Sequence, residues 1–228
     1  MATYVLLPGA TTGGWFMKKV AMRVRNAGNE VFTPTYTGTG ERSHLLSPEI
    51  DLETHILDAL QVLKYEDLND VILVGKSYSG MVITGVADRA PERIRHLVYL
   101  DAVVPQDGQS LLDLMDPESA TAIKEIVKTH GEGWFIPANS SDDPRLTDHP
   151  WKTFTEPIRL SGNPVAERIP RTYIYCTVKA ADDPGTSMLR RCADMAKAKG
   201  WNYHEIPTGH KPEQDTPDEV TAILLELA

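Results

Sequence analysis

Apolar residues along this chain gather into short runs bounded by turn residues, and between those runs the apolar spacing lengthens to a helical period. The runs Tyr4–Leu7, Glu30–Phe32, Val71–Val74, Leu97–Leu100, Thr172–Cys176 and Tyr203–Ile206 predict six strands. The segments Trp15–Asn26, Leu52–Leu63, Met81–Arg89, Ser187–Lys199 and Asp218–Leu227 predict helices. Strand and helix alternate, which argues for a parallel sheet covered by helices on both faces. Near-continuous apolar strands such as "VILV" and "LVYL" suit such a sheet, because both of their faces are buried.

One stretch breaks the rhythm. Between Pro105 and Ile169 no clean strand is visible, and "PANSSDDPRLTDHP" is rich in turn residues. The flanking "SLLDLM" and "TAIKEIV" read as helical, and the aromatics Trp134, Phe135, Trp151 and Phe154 lie nearby. A structureless loop of that length is unusual in a compact domain. The pattern therefore predicts a core of residues 1–104 and 170–228, interrupted by a small helical lid at 105–169.

Composition narrows the function classes. At 228 residues the chain is long enough for one sizeable core. A net charge of −9 argues against a nucleic-acid surface, which needs a basic face. No apolar run approaches the ~18 residues of a membrane span. The opening "MATYVLLPG" lacks a basic leader, and its apolar part is too short for a signal peptide. The two cysteines, Cys176 and Cys192, form neither a disulfide framework nor a C-x-x-C pair. Packed thiols in a reducing cytoplasm are the expectation.

The candidate chemistry begins at "DVILVGKSYSGMVITGVA". A buried strand runs into Ser77, flanked two residues away by Gly75 and Ser79, and a helix follows. A sharp strand-to-helix bend with a nucleophile at its apex needs small residues at those two places. Gly80 would then let the helix pack close to the sheet. The plainer alternative is that Ser77 caps the helix. A serine hydroxyl also needs a base, and His210, after the last predicted strand and the turn Pro207-Thr208-Gly209, stands where one is expected. His44 and His55 come early, His96 precedes a strand and His204 lies within one.

An acid should orient His210. Asp101 directly follows "LVYL", where a partly buried carboxylate needs a partner; Asp182 and Asp183 are the alternative, although beside Pro184 and Gly185 they read as an exposed turn. Asp101 is preferred. Backbone N–H donors for an oxyanion are expected at Tyr78, after the serine, and at Ala10 in "LLPGATTGGW". That glycine-rich turn lacks G-x-G-x-x-G spacing, so no dinucleotide cofactor is expected, and no metal is called for.

With these residues in place the chain resembles the small α/β-hydrolases related to plant methyl esterases, such as the salicylate-binding esterase, and to plant hydroxynitrile lyases. The resemblance rests on "TGTGERSHLLSPEIDLETHI", on "MVITGVADRAPERIRHLVYLDAVVPQDGQSLLDL" and on "YIYCT", and is weak through the predicted lid. It implies an α/β-hydrolase fold, a mostly parallel sheet flanked by helices with an inserted helical lid. It also implies a serine esterase acting on a small-molecule ester, with no cofactor, no nucleic acid and no membrane, and it leaves room for a homodimer. Bacterial members resemble this chain in having "YLDA", often with no acid directly after "YIYCT", which again favours Asp101.

Three departures from the family pattern stand out. Pro8 replaces a histidine before Gly9, Lys76 replaces the histidine before Ser77, and Ser79 replaces a glycine. Lys211, after His210, resembles the lyases, whereas Gly9 resembles the esterases; a lyase or a ligand-binding member are thus the alternative activities. Lys76, Lys211, Thr11 and Trp134 are candidate substrate-site residues, the two lysines having solvated positions as their plainer reading. Were Lys76 to point inward, it would need a carboxylate, with Asp101 the plausible neighbour.

Overall fold

The computed structural model describes residues 1–139, 143–179 and 185–228. Its strands are β1 (Thr3–Leu7), β2 (Glu30–Phe32), β3 (Val71–Lys76), β4 (Ile94–Leu100), β5 (Phe135–Ile136), β6 (His149–Pro150), β7 (Arg171–Cys176) and β8 (Asn202–Ile206). Its α-helices are α1 (Lys18–Asn26), α2 (Leu52–Tyr65), α3 (Ser79–Arg89), α4 (Leu111–Leu114), α5 (Pro117–His130), α6 (Lys152–Thr155), α7 (Pro164–Glu167), α8 (Thr186–Ala198), α9 (Pro212–Asp215) and α10 (Pro217–Leu225).

Six strands form one sheet in the order β2-β1-β3-β4-β7-β8, and every pairing in it is parallel. The period of two along each strand divides the core. Val5, Leu7, Val71, Leu73, Leu97, Tyr99, Tyr173 and Tyr175 face one side, with Leu52 and Ile56 of α2, Met81 and Ile83 of α3, and Leu189 and Ala193 of α8. Their alternates Tyr4, Leu6, Ile72, Val74, Val98, Leu100 and Ile174 face the other side, with Val20 and Val24 of α1 and Val220 and Leu224 of α10. Burial on both faces is why these strands carry near-continuous apolar runs. α2 opens on a capping box, in which Asp51 accepts from the Thr54 N–H and Thr54 reaches back to the Asp51 N–H, an arrangement that contributes about 1 kcal/mol.

Between β4 and β7 the chain forms α4 to α7, and the antiparallel pair β5-β6 joins them. That pair is absent from the sequence expectation, since two-residue strands are too short to display a period. β4 starts at Ile94, so His96 lies inside the strand, opposite Ile72, rather than before it.

In a parallel sheet of this kind the loops at the carboxyl ends of the strands converge on one edge. Ala10 follows β1, Ser77 follows β3, Asp101 follows β4, Lys179 lies beyond β7 and His210 beyond β8.

Candidate active site

Ser77 takes φ +55°, a left-handed backbone that a non-glycine residue adopts at a cost. The bend is fixed from both sides, because the Ser77 N–H donates to the Leu100 carbonyl at 3.2 Å and the Val103 N–H donates to the Ser77 carbonyl at 3.2 Å. Gly75 is required by this bend: a Cβ there would lie 2.7 Å from the Ser79 carbonyl oxygen and 2.9 Å from Ile83. Gly80 is required for a different reason from the one expected. Its missing Cβ would fall 1.8 Å from the Val103 carbonyl oxygen, so it admits the loop after β4 rather than the sheet. Ser77 does not cap α3, whose N-cap is Tyr78 without a side-chain capping bond.

The Ser77 hydroxyl instead faces His210, with Nε2 2.9 Å from Oγ. The other ring nitrogen, Nδ1, lies 2.6 Å from Oδ2 of Asp101. A carboxylate accepts only, so Nδ1 carries the proton and Nε2 is left to accept from Ser77. Asp101 is fully buried at φ +44°. Its Oδ1 accepts from the Cys176 N–H at 3.2 Å, and its Oδ2 also pairs with Nζ of buried Lys179. Burial pushes the Asp101 carboxyl up, but the His210 bond and the His210 and Lys179 charges together hold it below the usual carboxylate range. His210 is pushed down by burial and by the Lys76 charge, against the opposing pull of Asp101. Asp182 and Asp183 lie outside the described residues; Asp101 occupies the position against His210.

A cavity of about 150 Å³ opens over this pair, lined mostly by apolar groups: Val103, Leu111, Met115, Phe154, Met188 and Leu189 beside Ala10, Tyr78, Ser77 and His210. Among the described residues no backbone hydrogen bond engages the N–H of Ala10 or of Tyr78. Both residues line the cavity that Ser77 also lines. A second cavity of about 170 Å³, between Val104 and Lys199, holds neither Ser77 nor His210. The chemistry favours the smaller one.

A strand–serine–helix bend after β3, a buried carboxylate after β4 and a histidine after β8 bring a hydroxyl, an imidazole and a carboxylate into one contact chain. The alpha/beta hydrolase family model matches residues 4–223. The chain belongs to the alpha/beta hydrolase family. It is 39% identical to the carbendazim hydrolyzing esterase of Nocardioides sp. (strain SG-4G), over all of both chains. It is 25% identical to salicylic acid-binding protein 2 of Nicotiana tabacum, over 62% of this chain and 54% of that one. Among solved structures, an extracellular alpha/beta-hydrolase from a Paenibacillus species superposes with a TM-score of 0.82 at 22% identity, covering 100% of this chain and 99% of that one.

Within this hydrolase the three departures from the family pattern prove to be neighbours. Ser79 Oγ donates to the Pro8 carbonyl and accepts from the buried Tyr36 hydroxyl at 2.6 Å, so the elbow is tied to the loop carrying Ala10. Lys76 runs across that loop: a Cβ on Gly9 would lie 3.1 Å from its Cδ. The solvated position expected for Lys76 is not found. Its side chain is buried, and its ammonium lies 3.9 Å from Oε1 of Glu213, not against Asp101. Glu213 is wholly buried, and burial raises its pKa against the lowering effect of Lys76.

Of the other candidates in this hydrolase, Lys211 is exposed at the start of α9 and does not line the cavity. The Thr11 hydroxyl donates to the Ala10 carbonyl at 2.7 Å, and Thr11 does not line the cavity. Trp134 packs edge-on against Phe135 and also stays outside it. Phe154 is the aromatic of the β4–β7 segment that reaches the site, with Trp151 behind it at 6.1 Å between ring centroids. Sequence reasoning missed Lys179 and Glu213, since Lys179 stands past the end of a strand and Glu213 in "HKPEQD", places where a charged side chain reads as solvated.

Proposed function

We propose that this carboxylic ester hydrolase works through an acyl-enzyme on Ser77. His210 Nε2 takes the serine proton as Oγ attacks the ester carbonyl, and the Ala10 and Tyr78 N–H groups receive the oxyanion. The imidazolium, steadied by Asp101, then protonates the departing alcohol. Water deprotonated by the same histidine clears the acyl group and frees Ser77. The observation that carries this reading is the 2.9 Å approach of His210 Nε2 to Ser77 Oγ, with Nδ1 held by a buried carboxylate.

The cavity walls favour a small apolar acyl group. We assign the segment 105–169 the role of a lid whose Phe154 and Leu111 exclude water from the ester. The name of the Nocardioides relative makes carbendazim a substrate to test beside simple esters. The lyase reading loses its motive, because the lysine that suggested it lies outside the cavity.

Ser77→Ala is expected to lower turnover of p-nitrophenyl acetate by about 10⁵- to 10⁶-fold, as loss of a triad serine does. Undiminished turnover in that variant removes the mechanism.

A further inference from the structure

Thr11 directly follows the proposed oxyanion donor Ala10, and its backbone is strained. A β-branched residue at φ +61° stands in a region that costs about 1–3 kcal/mol and persists only where the surroundings enforce it. The enforcement comes from the segment between β4 and β7. The Thr11 N–H donates to Nδ1 of His149 at 3.3 Å, and the Thr147 N–H donates to the Thr11 carbonyl at 2.9 Å. Thr147 is itself anchored, since its Oγ1 accepts from the Gly40 N–H at 2.9 Å.

The bonds around His149 fix where its proton lies. Nδ1 accepts from Thr11, so in the neutral ring Nε2 carries the hydrogen. That hydrogen points to Thr153 Oγ1 at 2.9 Å, and the Thr153 hydroxyl passes its own hydrogen to the Pro150 carbonyl at 2.7 Å. The ring is fully buried, and the rings of Tyr78, Phe154 and His55 stand around it with centroids 5.0, 5.5 and 5.6 Å away. A buried histidine that merely filled space would need no acceptor aimed at this one backbone N–H.

We infer that His149 is a positioning residue for the oxyanion loop: from the segment between β4 and β7 it holds Thr11, and through Thr11 the Ala10 N–H, in the place where ester carbonyl charge develops. The inference rests on the acyl-enzyme reading above and adds to it a link between that segment and the reaction. A misplacement of about 1 Å at such a donor costs about 100-fold in rate.

The test compares wild type with His149→Phe, His149→Asn, Thr153→Val and Ser77→Ala, using p-nitrophenyl acetate and an alkyl boronic acid that forms an anionic tetrahedral adduct. His149→Phe is expected to lower kcat by about 10- to 100-fold with KM nearly unchanged, and to weaken boronate inhibition by the same factor. His149→Asn, whose side-chain oxygen can accept from Thr11, is expected to recover most of both. Thr153→Val, which keeps the ring but frees its tautomer, should lose kcat and boronate affinity together, and it carries the test if the phenylalanine variant does not fold. Wild-type kcat and boronate affinity in folded His149→Phe, or in Thr153→Val if that variant alone is available, would overturn the proposal, as would equal losses in His149→Phe and His149→Asn. Retained activity in Ser77→Ala would instead overturn the acyl-enzyme reading itself, so the two failures are distinguishable.

Discussion

Lys179 pairs with the same carboxylate oxygen of Asp101 that receives the His210 ring. Both members of this ion pair are buried, with side-chain exposures of 5% and 0%. The carboxylate thus serves an ammonium and an imidazole through one oxygen. On the acyl-enzyme reading Asp101 orients the ring and fixes its tautomer, and its charge steadies the imidazolium against the opposing Lys179 charge.

Asp101→Asn tests that arrangement. The asparagine is expected to lower kcat by about 10⁴-fold by favouring the wrong tautomer of His210. It also strands the Lys179 ammonium, at a cost of about 3–5 kcal/mol in urea unfolding. Asp101→Asn combined with Lys179→Met is expected to regain much of that stability while leaving kcat low. Recovery of kcat in the double variant would show that Asp101 serves only to neutralise the lysine.

The pH profile follows from the surroundings of His210. Burial first, and the Lys76 charge second, lower its pKa, and Asp101 only partly opposes them. The neutral ring is the active base, so kcat/KM should stay flat as pH falls through the ordinary histidine value of about 6.5 and decline below it. Stability follows the same sign: the neutral ring's contribution is complete above the unfolded value and lost as pH falls through the folded one. Lys76→Met removes a charge that lowers the pKa, so the acid limb of kcat/KM should move upward. A limb that stays put in Lys76→Met contradicts this account of the electrostatics.

Ser79 occupies a place where the family pattern has glycine, and its hydroxyl has two buried partners. Ser79→Ala leaves the Pro8 carbonyl without its donor and the Tyr36 hydroxyl without its acceptor. The expected loss is about 1–3 kcal/mol in urea unfolding. Because Pro8 opens the loop that carries Ala10, kcat should fall more than KM rises. Wild-type stability and kcat in Ser79→Ala would show that the tether is idle.

Much of this site is legible in the residue pattern. The run "VILVGKSYSG" announces Ser77 because a buried strand followed at once by small residues implies a bend. Asp101 announces itself because a carboxylate directly after "LVYL" has no solvated alternative. Lys76, Lys179 and Glu213 are not legible in this way. Each is a long charged side chain at or just past the end of a strand or turn, where solvation is the plain expectation, and only the convergence of strand ends from different parts of the sequence buries them. His149 is hidden for a similar reason, since its strand β6 is two residues long and pairs across a turn-rich stretch. Trp134 misled because aromatic character shows that a side chain packs, and not against which element.

The most direct measurement is rapid-quench mass spectrometry of the wild-type protein mixed with p-nitrophenyl acetate, followed by peptide mapping. An acetyl group should accumulate on the peptide containing Ser77 within the first turnover, with release of one equivalent of nitrophenolate. Steady turnover with no acetyl adduct, or with the adduct on another residue, would contradict attack by Ser77.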